Sequence, residues 1–254
     1  MKNIWTIAKK DFRSYVSSPI AYIVIAVFLL IMGWMFFFIL QHFVQQASQF
    51  QQFQMGKGPS IAEAVIRPIY GNMNVVLLFL IPFITMRLFA EEKKNHTIEL
   101  LMTSPVTLTE IIMGKFLSSF MLVSVMIGCT LLYPLILILT GNPDKGTIFT
   151  SVLGTLLLAS CYLGLGLIFS AATENQIVAG ALTLASGLFF WIVSWASQSA
   201  GPVWSEVLTY ISIITHFNNF SQGILTTTDT FFYISFVGVC LFLCHRILDS
   251  FRWR

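Results

Sequence analysis

Seven long stretches of this chain carry no charged residue: 14–56, 68–86, 116–143, 146–173, 175–205, 207–228 and 230–245. A bilayer core about 30 Å thick is crossed by about 20 apolar residues in an α-helix. Runs such as Ile20 to Leu40 are apolar on every side instead of alternating, which excludes a membrane β-barrel. Only 10% of the 254 residues are charged and 56% are hydrophobic, whereas a soluble domain carries about 25% charge. The predicted fold class is therefore all-α, a polytopic membrane protein with six transmembrane helices in a single domain over 1–254.

The spans are predicted at about 19–40, 68–87, 116–140, 147–172, 175–199 and 230–247. Ser18-Pro19 supplies an N-cap and a proline at the first helical position, where its missing N–H costs nothing. Thr173-Glu174-Asn175-Gln176 has capping-box spacing and predicts a tight turn opening the fifth span. Pro82 and Pro134 are expected to kink the second and third spans. The run 207–228 is long enough to span but is broken by Thr, Ser, Asn and His, so 200–229 is read as an outer interfacial or re-entrant segment.

Basic residues orient the spans. The N-terminus, the loop after the second span and the C-terminal tail together hold eleven Lys and Arg, against Lys57, Arg67 and Lys145 on the other side. An even span count puts both termini on the basic, cytoplasmic side. Residues 1–18 predict an interfacial helix: Ile4, Trp5, Ala8, Phe12, Tyr15 and Val16 share one side, Lys2, Lys9, Lys10 and Arg13 another. A simple positive flank that orients the first span is the plainer alternative. The outer loop 41–67 has seven glutamines between 41 and 54, which fits either a helical extension of the first span or a solvated loop.

Chemistry-bearing motifs are missing from the sequence. There is no G-x-x-x-x-G-K-[ST]; Gly114-Lys115 is followed by Phe116, so the chain has no P-loop with which to bind ATP itself. No zinc-spaced Cys/His cluster and no G-x-S-x-G occurs, so no catalytic, cofactor or metal residue is assigned. Cys240-x-x-x-Cys244-His245 puts two cysteines on one helical face, where cysteine is an ordinary apolar filler. His42, His96, His216 and His245 form no constellation in the sequence. Ionisable side chains deep within a span (carboxylate, His or Lys), which mark proton or ion pathways, are expected to be lacking too, and this disfavours a proton-coupled carrier. Small residues Ser160, Gly164, Gly166 and Ser170 permit close helix approach in the fourth span, within one subunit or between two, the former slightly favoured.

The densest charge lies in loop 88–115, with four acids and three lysines. Its stretch from Met86 to Val106, including Glu91-Glu92-Lys93-Lys94-Asn95-His96-Thr97-Ile98-Glu99-Leu100-Leu101-Met102-Thr103-Ser104-Pro105, resembles the first cytoplasmic loop of type-2 ABC exporter permeases. The start Phe12 to Tyr22, the turn Thr173 to Ala179, and His216-Phe217 followed by Phe220 and Gly223 are most similar to the gliding-motility (Gld-type) permeases. The resemblance implies a bacterial inner-membrane subunit that pairs with a second copy or a related permease and binds two ABC ATPase subunits, which hold the ATP and Mg. It implies a cytoplasmic coupling helix in 88–115, with ATPase-coupling residues Glu91, Glu92, Thr97, Glu99, Leu100, Leu101, Ser104 and Pro105. Thr97 is expected to cap that helix and Thr107-x-x-Glu110 the next. His96 stands where the family has glycine, so Asn95 or His96 must take a left-handed conformation.

The function this implies is an ATP-driven exporter's permease, not itself an enzyme, with no nucleic-acid partner. Membrane lipids surround it, and an extracytoplasmic auxiliary protein is a further candidate partner. The alternative is a non-transporting membrane anchor or mechanical transmitter in an ATPase-driven envelope complex. A solvated charged hairpin without a partner is the plainer reading of the loop.

Overall fold

A computed structural model describes residues 2–52, 60–99, 105–140, 143–199 and 201–251. Those residues are helical or in turns, with no strand among them. Six helices are long and apolar enough to cross a membrane: Ala21–Gln49, Ala62–Lys94, Leu108–Leu139, Lys145–Ala172, Gln176–Ser197 and Thr227–Phe251. The all-α polytopic architecture expected from the apolar stretches is the one observed.

The chain starts with α1 (Lys2–Ser17), bends at Ser18, and enters α2 (Pro19–Gln52). The first part of the 41–67 loop is thus a helical extension of the first span. A π-helical turn, Ala62–Ile66, leads into α3 (Arg67–Thr85). Pro82 lies inside α3, which continues for three more residues before a turn at 86–89. The short α4 (Ala90–Lys94) follows.

Helix α5 (Leu108–Thr130) is opened by the capping box expected at Thr107: Glu110 N–H donates to Thr107 Oγ1 at 3.3 Å, and Thr107 N–H donates to Glu110 Oε2 at 3.1 Å. At Leu131 the helix breaks and α6 (Leu132–Thr140) begins. Pro134 explains the break, since it has no N–H for the carbonyl of Thr130. Tyr133 hydroxyl donates to the carbonyl of Leu29 at 3.1 Å and its ring stacks on Phe36, tying α6 to α2.

Helix α7 (Lys145–Ala172) is capped by Asp144, whose carboxylate accepts from the amides of Gly146 and Thr147. Helix α8 (Gln176–Ser199) starts differently from expectation. Asn175, not Thr173, caps it: Asn175 Oδ1 accepts from Ile177 N–H at 2.9 Å, while Thr173 ends α7 and accepts from Asn175 N–H. With Thr173 held in extended backbone at φ −130° to end α7, its hydroxyl serves the turn and not the helix start. Two short helices, α9 (Pro202–Ile211) and α10 (Ile213–Ser221), fill the interrupted run, and α11 (Thr227–Phe251) closes the fold.

Helix α7 is the centre of the bundle, packed by α3, α5, α8, α10 and α11. Its small residues make this possible. A Cβ on Gly154 would stand 2.6 Å from Phe220 of α10, one on Gly164 2.9 Å from Cys240 of α11, and one on Gly166 2.2 Å from Thr85 of α3. The small-residue face of the fourth span therefore serves packing within the subunit. The main core gathers Phe28, Met32, Tyr70, Met73, Leu77, Met126, Leu158, Tyr162, Phe220 and Tyr233. A second core lies at the α1 end, built on Leu88, Phe89, Ile111, Ile112, Leu167, Cys244 and Leu248.

Candidate functional site

The charged loop sits on this second core. Ile98 and Val106 pack against it from the two sides of the loop, so both limbs are anchored by apolar contacts. Between these limbs the chain turns sharply: His96 has φ 55°, whereas Asn95 stays at φ −90°. Of the two candidates it is His96 that takes the left-handed conformation, which costs a non-glycine residue some strain. Helix geometry resumes at Ile98 and Glu99. Leu100, Leu101 and Ser104 lie outside the described residues.

Polar interlocks hold α4 against the end of α7. Phe89, at the N-cap of α4, brings no side-chain cap of its own. Ser170 of α7 supplies one: its Oγ accepts from Phe89 N–H at 2.9 Å and from Ala90 N–H at 3.2 Å. In return, buried Lys93 of α4 donates its ammonium to the carbonyl of Ala171, and the same Nζ lies 3.3 Å from the centroid of the Phe251 ring. A cation at the carbonyl end of α7 is where the helix dipole favours it. Each helix thus satisfies the other's orphan backbone groups.

A second node joins α1, α4 and α5. Buried Lys115 lies 2.6 Å from Glu92 Oε1 and 3.6 Å from Asp11 Oδ2, with the Phe89 ring 5.1 Å away. Sequence reading counts Lys115 among the topogenic loop charges; the fold places it inside, where two carboxylates on different helices meet it. Helix α1 lies along α5, and Gly114 permits the contact, since a Cβ there would stand 2.7 Å from Ile7. Asn3 Nδ2 adds a donation to Glu110 Oε1 at 3.1 Å. Tyr15 donates its hydroxyl to the carbonyl of Ile84 at 3.3 Å, and burial first, then the Asp11 carboxylate, raises its phenol above the usual range.

This seating corrects one detail of the amphipathic pattern. Ala8 is buried and Ile7 faces α5, while Trp5 and Val16 are exposed. Both were placed on the apolar side at 100° per residue. The face that packs is narrower, and those two residues project from the bundle.

The expected coupling residues therefore divide. Glu92 is turned inward to Lys115, whereas Glu91, Thr97, Glu99 and Pro105 are exposed. Thr97 hydroxyl donates back to the carbonyl of Glu92 at 3.3 Å, closing the turn; most of the helix it is expected to cap lies outside the described residues.

At the opposite end a polar cluster was not legible in the sequence. Asp229, buried at the start of α11, faces His216 of α10 with Nδ1 and Oδ1 2.6 Å apart. Its second oxygen accepts from Asn219 Nδ2 at 2.8 Å and from the hydroxyl of Thr226. His216 Nε2 sits 2.9 Å from the carbonyl of Tyr210, an acceptor, so Nε2 carries a proton. The imidazole stacks on Phe232, ring centroids 4.0 Å apart. Tyr233 hydroxyl closes the cluster on the carbonyl of Ile213 at 2.8 Å. The sequence signal available was the alternation of His, Asn, Thr and Asp across 216–229 in an otherwise apolar chain.

No curated protein matches the sequence. A family model described as ABC-2 family transporter protein matches residues 5–248. That match covers nearly the whole chain, and the chain belongs to this family: it is a multi-pass transmembrane ABC permease, a membrane component that partners with ABC ATPase subunits.

Proposed function

We propose that this permease is the membrane half of an ATP-driven exporter, coupled to separate ATPase subunits through the 88–105 loop on the cytoplasmic side. The observation that carries this reading is the double interlock of α4. Ser170 and Lys93 fasten it to α7, and Glu92 with Lys115 fastens it to α5 and α1. Force applied at the exposed Thr97–Glu99 turn is transmitted to three other helices at once, because charged and hydrogen-bonded contacts hold the turn's base. Two such permeases, identical or related, would flank a central pathway, each engaging one ATPase.

The same residues carry the finer part of the proposal. Glu91, Glu99 and Pro105 are exposed for contact with an ATPase cleft, and Leu100 and Leu101 are assigned as coupling residues from the sequence resemblance. We assign the subunit to a bacterial inner membrane with both termini cytoplasmic; the resemblance to gliding-motility permeases supports the membrane, and the clustering of Lys and Arg on one side supports the orientation.

The test is affinity purification of the tagged chain from its native membrane, with ATP hydrolysis assayed on what co-purifies. Recovery of a P-loop ATPase that is lost on replacing Glu99, Leu100 and Leu101 supports the proposal. A chain that purifies without an ATPase, or whose ATPase and transport are indifferent to all three replacements, overturns it.

A further inference from the structure

A cleft of about 460 Å³ opens at the α1 end between α1, the start of α2, and the junction of α3 with α4. Its volume falls in the range of about 300–1,000 Å³ typical of small-molecule sites. Lys10, Ser14, Arg87, Glu91 and Glu92 line its polar part. Val24 and Phe83 lie on its apolar side, and Phe83 is 55% exposed on an apolar span, so the cleft runs from the polar end of the bundle to the surface that faces acyl chains.

Two of the lining residues are left incomplete in opposite senses. Arg87 makes no ion pair among the described residues, and its buried Nε has no acceptor. Glu92 gives Oε1 to Lys115, while its buried Oε2 has no donor among the described residues. Lys10 and Glu91 line the same space, again one of each sign, and neither is ion-paired among the described residues. A half-satisfied polar network at low dielectric is costly. A ligand that completes both halves must bring an anion and a hydrogen-bond-donating cation together, with an apolar tail toward Phe83.

We infer that this cleft binds the headgroup of a zwitterionic phospholipid bearing a primary ammonium, its phosphate on Arg87 and Lys10 and its ammonium at Glu91 and Glu92. A guanidinium suits phosphate because it presents several donors in a fixed fork. A primary ammonium keeps three N–H donors for the carboxylates, which a trimethylated choline lacks. Acyl chains lie along the exposed apolar surface of α2 and α3, where Tyr22, Ile23 and Phe83 project.

The test uses the full-length chain in nanodiscs made with equal parts of phosphatidylethanolamine, phosphatidylcholine and phosphatidylglycerol. After stepwise delipidation, retained lipids are counted by native mass spectrometry. Phosphatidylethanolamine should be retained about tenfold over each of the others, the scale of losing one charge-assisted hydrogen bond. Arg87→Gln should remove that preference, Arg87→Lys should keep most of it, and Arg246→Gln, at a residue that does not line the cleft, should leave it unchanged. Equal retention of the three lipids, preferential retention of phosphatidylglycerol, or a preference that survives Arg87→Gln each overturns the assignment. Should Arg87→Gln fail to fold, the wild-type ranking decides. Displacement by millimolar phosphoethanolamine with no lipid preference would assign the cleft to a soluble ligand and overturn the lipid reading. Because the readout is lipid retention by the isolated chain, failure here leaves the ATPase-coupling proposal standing.

Discussion

Lys115 of α5 lies 2.6 Å from Glu92 of α4 and is itself buried, so the base of the charged loop is pinned to the helix that carries the chain back into the membrane. Removing one partner of a buried pair leaves the other charge uncompensated, at a cost of about 3–5 kcal/mol. Lys115→Met is expected to lower stability toward the small end of that range, because Glu92 keeps some exposure to water. Glu92→Gln should cost less, since Asp11 remains to face the ammonium. Thermal unfolding of the two single variants and the double variant should show coupling, with the double loss smaller than the sum. Additive losses would mean that the pair is incidental.

Gly166 has no room for a side chain. A Cβ would meet Thr85 Oγ1 at 2.2 Å, and that hydroxyl is already engaged with the carbonyl of Ile81 at 3.1 Å. Gly166→Ala is expected to destabilise by about 1–3 kcal/mol through overpacking between α7 and α3. Thr85→Ala introduced with it should recover little, because Thr85 Cβ, which alanine keeps, would itself stand 2.4 Å from the added carbon. A fully stable Gly166→Ala variant in detergent unfolding would contradict the close approach.

Asp229 gathers three partners at the opposite end of the bundle: His216, Asn219 and Thr226. Asp229→Ala would remove a partner from each of the three, and for buried His216 an Nδ1 left unpaired costs about 1–3 kcal/mol. Hydrogen exchange should then accelerate across 212–230, where α10 and the turn into α11 depend on the cluster. The α1–α5 contact should stay protected. Unchanged exchange in 212–230 would show that packing of Phe217, Phe220 and Tyr233 suffices.

The carboxylate of Asp144 is held below its ordinary value of 3.8, chiefly by the hydroxyl of Thr147 and then by the amides of Gly146 and Thr147. A carboxylate lowered in the folded state stabilises it above the unfolded value and loses that contribution as pH falls through the folded one. The start of α7 should therefore fray on acidification below 3.8 in the wild type. In Asp144→Asn an uncharged cap remains and this acid-dependent component should vanish. Measuring stability against pH for both checks it; identical acid profiles would remove Asp144 as a contributor.

The spans, the break near Pro134 and the capping box at Thr107 were legible because each rests on a few neighbouring residues. Apolar length sets a crossing whatever surrounds it, and a proline withholds its N–H in any context. Near the fifth span the same local reasoning failed. Thr173 has capping-box spacing, yet it closes α7, and Asn175 two residues on takes the cap. Two adjacent helices compete for one short turn there, and spacing alone does not say which of them a hydroxyl serves.

The candidate loop was legible as a motif but not as a mechanism. Glu91 and Glu92 read alike as an acidic pair, and only the position of Lys115 turns one inward while the other stays exposed. Ser170 read as one more small residue on a helix face, and it caps α4, eighty positions earlier in the chain. What the sequence by itself determined was the all-helical membrane architecture and the small-residue face of α7, since those follow from local apolar length and composition. Only the tertiary structure decided which charges meet. Lys115 with Asp11, and His216 with Asp229, are brought together by how α1 lies on α5 and by how α10 and α11 both pack on α7, and an interaction that acts over a few ångströms has no signature until that packing is in place.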